Sequence, residues 1–166
     1  MEEKLQFDSL NLQDNLLRGI YSYGFENPSF IQSSSIPKIM ENKDVIAQAQ
    51  SGTGKTGAFT ISALQKVDPS VKQTQILIIS PTHELVHQSF NVLKELGKYM
   101  DISMERVMGG TSVSECIHNL SKDPQIIVGS PGRILDMIQK KHLFTDGIKM
   151  LVMDEADEIL SYGFTE

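Results

Sequence analysis

Five short runs in this chain read as strands: Asp44-Val45-Ile46-Ala47, Gln75-Ile76-Leu77-Ile78-Ile79, the stretch 102–108, Gln125-Ile126-Ile127-Val128 and Met150-Leu151-Val152-Met153. Most of them are aliphatic throughout, with no polar residue at every second place. A strand that is apolar on both sides has to be covered on both sides, so these runs predict a parallel sheet sandwiched between helices. Helical periodicity fills the gaps, over Lys55–Lys66, 83–100, Val113–Leu120 and 133–140. Upstream, residues 10–23 repeat apolar side chains at three and four and stop at Gly24, and Pro28 opens a second helical stretch. The expected class is α/β, and ligands in such sheets bind beyond the carboxyl ends of the strands.

Two strings stand at such ends. Ala49-Gln50-Ser51-Gly52-Thr53-Gly54-Lys55-Thr56 follows the first run and has the spacing of a phosphate-binding loop. In that loop backbone N–H groups wrap phosphate oxygens, a lysine reaches the β/γ-phosphates and a hydroxyl ligates Mg²⁺. Asp154-Glu155-Ala156-Asp157 follows the last run, where Asp154 can hold the Mg²⁺ shell and Glu155 can orient an attacking water. Read alone, the acidic string is equally an ordinary helix N-terminus, where carboxylates are favoured. The partner string 99 residues upstream favours the catalytic reading. ATP and Mg²⁺ are therefore the expected cofactors, with Lys55, Thr56, Asp154 and Glu155 as catalytic groups and Thr56 and Asp154 at the metal.

At 166 residues, with 40% hydrophobic and 22% charged side chains, the chain has the composition of one globular domain. The N-terminus lacks a basic then apolar leader and no apolar run is long enough to span a bilayer, so we expect no membrane association and a cytoplasmic protein, with the nucleus left open. One cysteine, Cys116, can make no internal disulfide, in keeping with a reducing compartment. A net charge of −6 excludes a binder that works by broad phosphate neutralisation. Any contact with nucleic acid has to be local, through backbone N–H groups, helix N-termini and a few cations such as Arg133.

Together with Gly24-Phe25-Glu26-Asn27-Pro28-Ser29-Phe30-Ile31-Gln32, the two strings resemble the DEAD-box RNA helicases, over nearly the whole chain. Leu17-Arg18-Gly19-Ile20-Tyr21 and residues 44–56 resemble in particular the branch that works in translation initiation and at exon junctions. The resemblance implies a RecA-like first lobe over residues 34–166, with an adenine-reading Q-motif region, 1–33, packed on it. It makes Gln32 the adenine reader and Phe7, seventeen positions before Gly24, the ring that stacks on the base. A side-chain amide can both donate to and accept from adenine's N6/N7 edge, which guanine cannot match. From the residues alone, Phe7 would be a buried staple and Gln32 a solvated helix residue.

The resemblance also assigns backbone contacts to RNA, without base reading, to Pro81 and Thr82, to Gly109-Gly110, and to Ser130-Pro131-Gly132-Arg133 with Asp136. Read singly, each is a common turn. The family usually has arginine at the place of His83 and threonine at Ser130; the serine keeps its hydroxyl, whereas the histidine lacks a fixed charge. His83 is therefore left out of the RNA contacts. That change creates His83-Glu84-Leu85-Val86-His87, a literal HExxH, but Phe90 and Leu93 stand where the extended zinc-protease pattern needs glycine and a third ligand.

By the same resemblance, a Ser-Ala-Thr coupling element, the second RecA-like lobe with its arginine fingers, and a strand between the phosphate-loop strand and the acidic-string strand lie beyond these residues. The expectation is a C-terminally incomplete lobe of marginal stability with at most trace ATPase activity. A fragment that binds nucleotide, RNA or a scaffold protein without turnover is the alternative.

Overall fold

The computed structural model describes residues 5–50, 52–161 and 163. The chain forms two compact units, one of Met1–Lys66 with Val92–Asp101, the other of Val67–Asn91 with Ile102–Glu166.

The first unit is helical. A 3-10 turn, Phe7–Leu10, precedes helices α1 (Asp14–Tyr23), α2 (Phe30–Met40) and α3 (Lys55–Lys66). The boundary expected at residue 33 thus falls inside α2. Helix α1 starts later than the periodicity suggests because Asn11, in a left-handed conformation at φ 57°, closes the 3-10 turn. Gly24 ends α1 at φ 105°, its N–H donating to the carbonyls of Ile20 and Tyr21. The last residues of α4 (His83–Leu96) also belong to this unit. A Cβ on Gly19 would lie 1.8 Å from the Leu96 carbonyl oxygen, so only glycine lets α1 approach the α4 backbone this closely. The Arg18 guanidinium, 4.1 Å from the centre of the Tyr99 ring, lies against the same junction.

The second unit holds a four-stranded parallel sheet, β1 (Ile76–Ile79), β2 (Met104–Val107), β3 (Ile126–Gly129) and β4 (Met150–Met153), in the order β2-β3-β1-β4. Its helices are the start of α4, α5 (Val113–Leu120), α6 (Pro131–Gln139) and α7 (Ala156–Ser161). Leu77, Val107 and Ile127 on one face pack with Cys116, Leu120, Ile134, Met137 and Leu143. Ile76, Ile78, Ile126 and Val128 on the other are fully buried, which is why these runs carry no polar alternation. At the amino ends two buried amides organise the loop 68–71. Gln75 accepts from the Asp68 N–H and donates to the carbonyls of Asp68 and Val71; Gln125 donates to those of Pro69 and Val71. Buried amides are tolerated because they are satisfied.

Three expectations need correction. Residues 44–47 do not form a strand, and Ile46 is fully exposed. Strand conformation is held by a ladder partner, and none of the described strands pairs with this run. The helix expected to reach residue 100 ends at Leu96, ahead of Gly97, whose cost in a helix interior favours a stop. Helix α6 begins at Pro131, two residues early, because proline is pre-organised for the first helical position. Among the described residues no helix is long and apolar enough to cross a membrane.

Candidate functional site

In the first unit the site is built around the start of α3. The loop before it turns at Gly52, φ 82°, and Gly54, φ 92°, conformations that a side chain strains. Thr53 Oγ1 donates to the Gln50 carbonyl at 2.6 Å, and Lys55 and Thr56 open the helix, both half-buried. Ala49 is half-buried in the non-helical approach, and Ser51 lies outside the described residues.

Gln32 joins this loop to α2. Ser29 and Gln32 form a capping box: Gln32 N–H donates to Ser29 Oγ at 3.3 Å, and Ser29 N–H donates to Gln32 Oε1 at 2.9 Å. The other end of the amide, Nε2, donates to the Gly54 carbonyl at 3.2 Å. A Cβ on Gly54 would lie 2.5 Å from Ser29 Oγ, and one on Gly57 would lie 2.5 Å from Gln32 Nε2. The glycines thus leave room for an amide that is itself 2% exposed. With two bonds made, Gln32 keeps one N–H and one carbonyl lone pair for a ligand. Phe7 is fully buried, stacked on Phe25 at 6.1 Å and edge-on to Tyr21 at 6.3 Å. Tyr21 donates to Asp8, and that bond raises the phenol's pKa above its ordinary value.

In the second unit, the turns after β1, β2 and β3 come together. Thr82 Oγ1 caps α4, accepting from the Leu85 N–H at 3.2 Å. Gly109 N–H donates to Ser130 Oγ at 3.1 Å, tying the β2 and β3 turns. Arg133 donates to Thr111 Oγ1 at 3.3 Å and to the Thr111 carbonyl at 3.0 Å, bracing the loop that follows Gly109-Gly110. Pro131, half-buried, and Gly132, exposed, form the first turn of α6, while Asp136 pairs with Lys140 at 3.1 Å. His83, discounted from sequence, stands beside this group: its Cε1 lies 3.5 Å from where a Gly110 Cβ would be. Asp154 follows β4 and is 7% exposed, its N–H donating to the Ile79 carbonyl. Glu155 adopts φ 51°, a left-handed conformation that is strained for a glutamate and re-aims the chain into α7.

The DEAD/DEAH box helicase model matches residues 29–166. The chain belongs to that family. It is 56% identical over 160 residues to the ATP-dependent RNA helicase eIF4A of Pyricularia oryzae, covering 96% of this chain and 40% of the relative. A DEAD box protein from the hyperthermophile Methanococcus jannaschii superposes with a TM-score of 0.92 at 36% identity, covering 97% of this chain and 44% of that one. Saccharomyces cerevisiae Dbp5 bound to RNA and ADP BeF3 superposes with a TM-score of 0.87 at 38% identity, over 93% of this chain and 39% of that one. The chain therefore spans about 40% of the length of the curated relatives it matches.

Membership of the DEAD/DEAH box family leaves the HExxH string as a coincidence of α4. There Arg106 donates to His87 Nδ1 at 2.7 Å, and among the described residues no three His, Cys, Asp or Glu side chains are grouped to hold a metal ion. Two participants were missed from sequence. Ser29 was legible as the first residue of the Ser-x-x-Gln capping pattern. Phe25, which packs on Phe7, stands in the string 24–32 but was given no role there.

Proposed function

We propose that this chain is the ATP- and RNA-binding first lobe of a DEAD-box RNA helicase that couples ATP hydrolysis to local unwinding of RNA, in translation initiation or mRNA metabolism. The observation that carries the reading is Gln32, whose one amide is bonded to the Gly54 carbonyl and keeps free capacity to read a base. A base on that amide would bias the same loop whose N–H groups face phosphate.

The residues present fit a magnesium nucleotide: the Gly54 cradle would be filled by any Cβ, and Asp154 is a buried carboxylate at a strand's carboxyl end. Lys55 and Thr56 would hold phosphate and metal, Asp154 the metal's water shell, and Glu155 the attacking water. Magnesium, when bound, neutralises phosphate charge. Phe7, expected from sequence to stack on the base, is instead fully buried against Phe25 and Tyr21, so its role in this reading is to support the adenine pocket from behind. The linked turns at Thr82, Gly109, Gly110, Ser130 and Arg133 would contact one RNA strand's backbone, with Pro81 and Gly132 shaping them. The S. cerevisiae relative bound to RNA and ADP BeF3 supports these ligand classes.

The test is calorimetric titration of ATP and GTP, with Mg²⁺, into the purified chain and a Gln32→Ala variant. Adenine-selective binding that falls about tenfold or more in the variant is expected, since an unpaired buried partner costs roughly 1–3 kcal/mol. Equal affinity for ATP and GTP would overturn the reading. By itself the chain is expected to turn over ATP only at trace rates, because an arginine finger is worth about 10³–10⁵ in rate. Robust RNA-stimulated phosphate release would refute that.

A further inference from the structure

Ser80 is fully buried at the end of β1, and among the described residues its Oγ is the one buried side-chain nitrogen or oxygen without a hydrogen-bond partner. Its position gives that orphan a direction. Ile79 is in register with Gly129 on β3 and with Met153 on β4. The ladder continues one residue further on both sides, Ser80 N–H donating to the Gly129 carbonyl at 3.0 Å and Asp154 N–H to the Ile79 carbonyl at 2.9 Å. In a parallel ladder residues in register share a face, so Ser80 stands between Ser130 and Asp154 in one row across the sheet. Ser130 Oγ is already engaged as the acceptor from Gly109 N–H.

A hydroxyl has a proton to donate, and burying it unpaired costs stability. Nothing in the fold requires a hydroxyl here: the neighbours on the same face of β1, Ile76 and Ile78, are aliphatic and fully buried. We propose that Ser80 is a positioning residue for the magnesium shell of Asp154, its Oγ–H donating to that shell when magnesium nucleotide binds and fixing the orientation of the carboxylate. The inference rests on the nucleotide reading above and adds to it a residue outside both motif strings. Partners of this kind, one layer behind the metal, typically change metal affinity by about 10–100-fold.

The experiment measures ATP affinity of the purified chain across a magnesium series and in EDTA, with the thermal midpoint of the protein without nucleotide, for the wild type and Ser80→Ala. Alanine removes only the hydroxyl and fits the space, so the variant should fold. The expected result is a roughly tenfold rise in the magnesium concentration giving half-maximal tight binding, with unchanged affinity in EDTA and a thermal midpoint equal to or above wild type. An equal magnesium midpoint in the two proteins overturns the inference and leaves the nucleotide reading standing. A fall in affinity of the same size in EDTA makes Ser80 merely structural and likewise overturns it. A wild-type chain whose ATP affinity ignores magnesium overturns the nucleotide reading, and the inference with it.

Discussion

Gln32 illustrates how much a single residue's meaning depends on what surrounds it. Its spacing from Ser29 makes it a helix cap, and capping alone would leave the far end of the amide in solvent. The approach of Gly54 buries that end and converts a local cap into a link to the phosphate loop. Cys116 is the opposite case, a reactive side chain made quiet by its place. Burial pushes its thiol above the ordinary range, and the nearby Arg133 guanidinium only partly offsets this. The thiolate is the nucleophile, so at neutral pH less of it exists in the folded chain than in the unfolded one, and the deficit closes only as pH rises past the raised value. Modification of the folded protein by an aromatic disulfide reagent at pH 7 should be at least about tenfold slower than in denaturant. Equal rates would place the thiol at the surface.

Among the elements, the contact of α1 with the end of α4 is the least forgiving. At Gly19 the missing Cβ is replaced by the carbonyl oxygen of Leu96, an atom of the backbone that cannot rotate away. Gly19→Ala should therefore destabilise the chain by about 2–4 kcal/mol despite alanine's better helix propensity, because overpacking outweighs the roughly 1 kcal/mol gained. A thermal or urea midpoint at or above wild type would show that α1 shifts at little cost. Three elements have the bounds read from sequence, α3 over Lys55–Lys66, α5 over Val113–Leu120 and β4 over Met150–Met153. Residues 44–47 are also mostly aliphatic, yet they remain outside the described sheet.

For the molecule as a whole, β4 is decisive, since among the described residues it is the outermost strand of the sheet on its side. Leu151 is 56% exposed, and with Met153, Ile159 and Leu160 it lines an apolar groove of about 570 Å³. A flat, apolar edge strand offers unpaired N–H and C=O groups to any other chain. The purified chain should associate with rising concentration at low ionic strength in sedimentation velocity, and Leu151→Lys should reduce that association without lowering the yield of folded protein. A wild-type chain monomeric up to about millimolar concentration would mean the edge is protected.

Membership of the family was legible in the sequence, because the phosphate loop, the acidic string and the turns after each strand carry particular residue types at fixed local spacing. So was the parallel α/β class, because burial on both faces leaves an aliphatic signature in each strand. What only the tertiary structure decided depends on residues far apart in the chain. It joined Gln32 to Gly54, set His83 beside Gly110, and tied Gly109 to Ser130. It left Ser80 as an unpaired buried hydroxyl next to Asp154 in the ladder, and it kept Ile46 out of the sheet. A residue's local preference is written in its own neighbourhood, whereas its partner across the fold is set by register and packing.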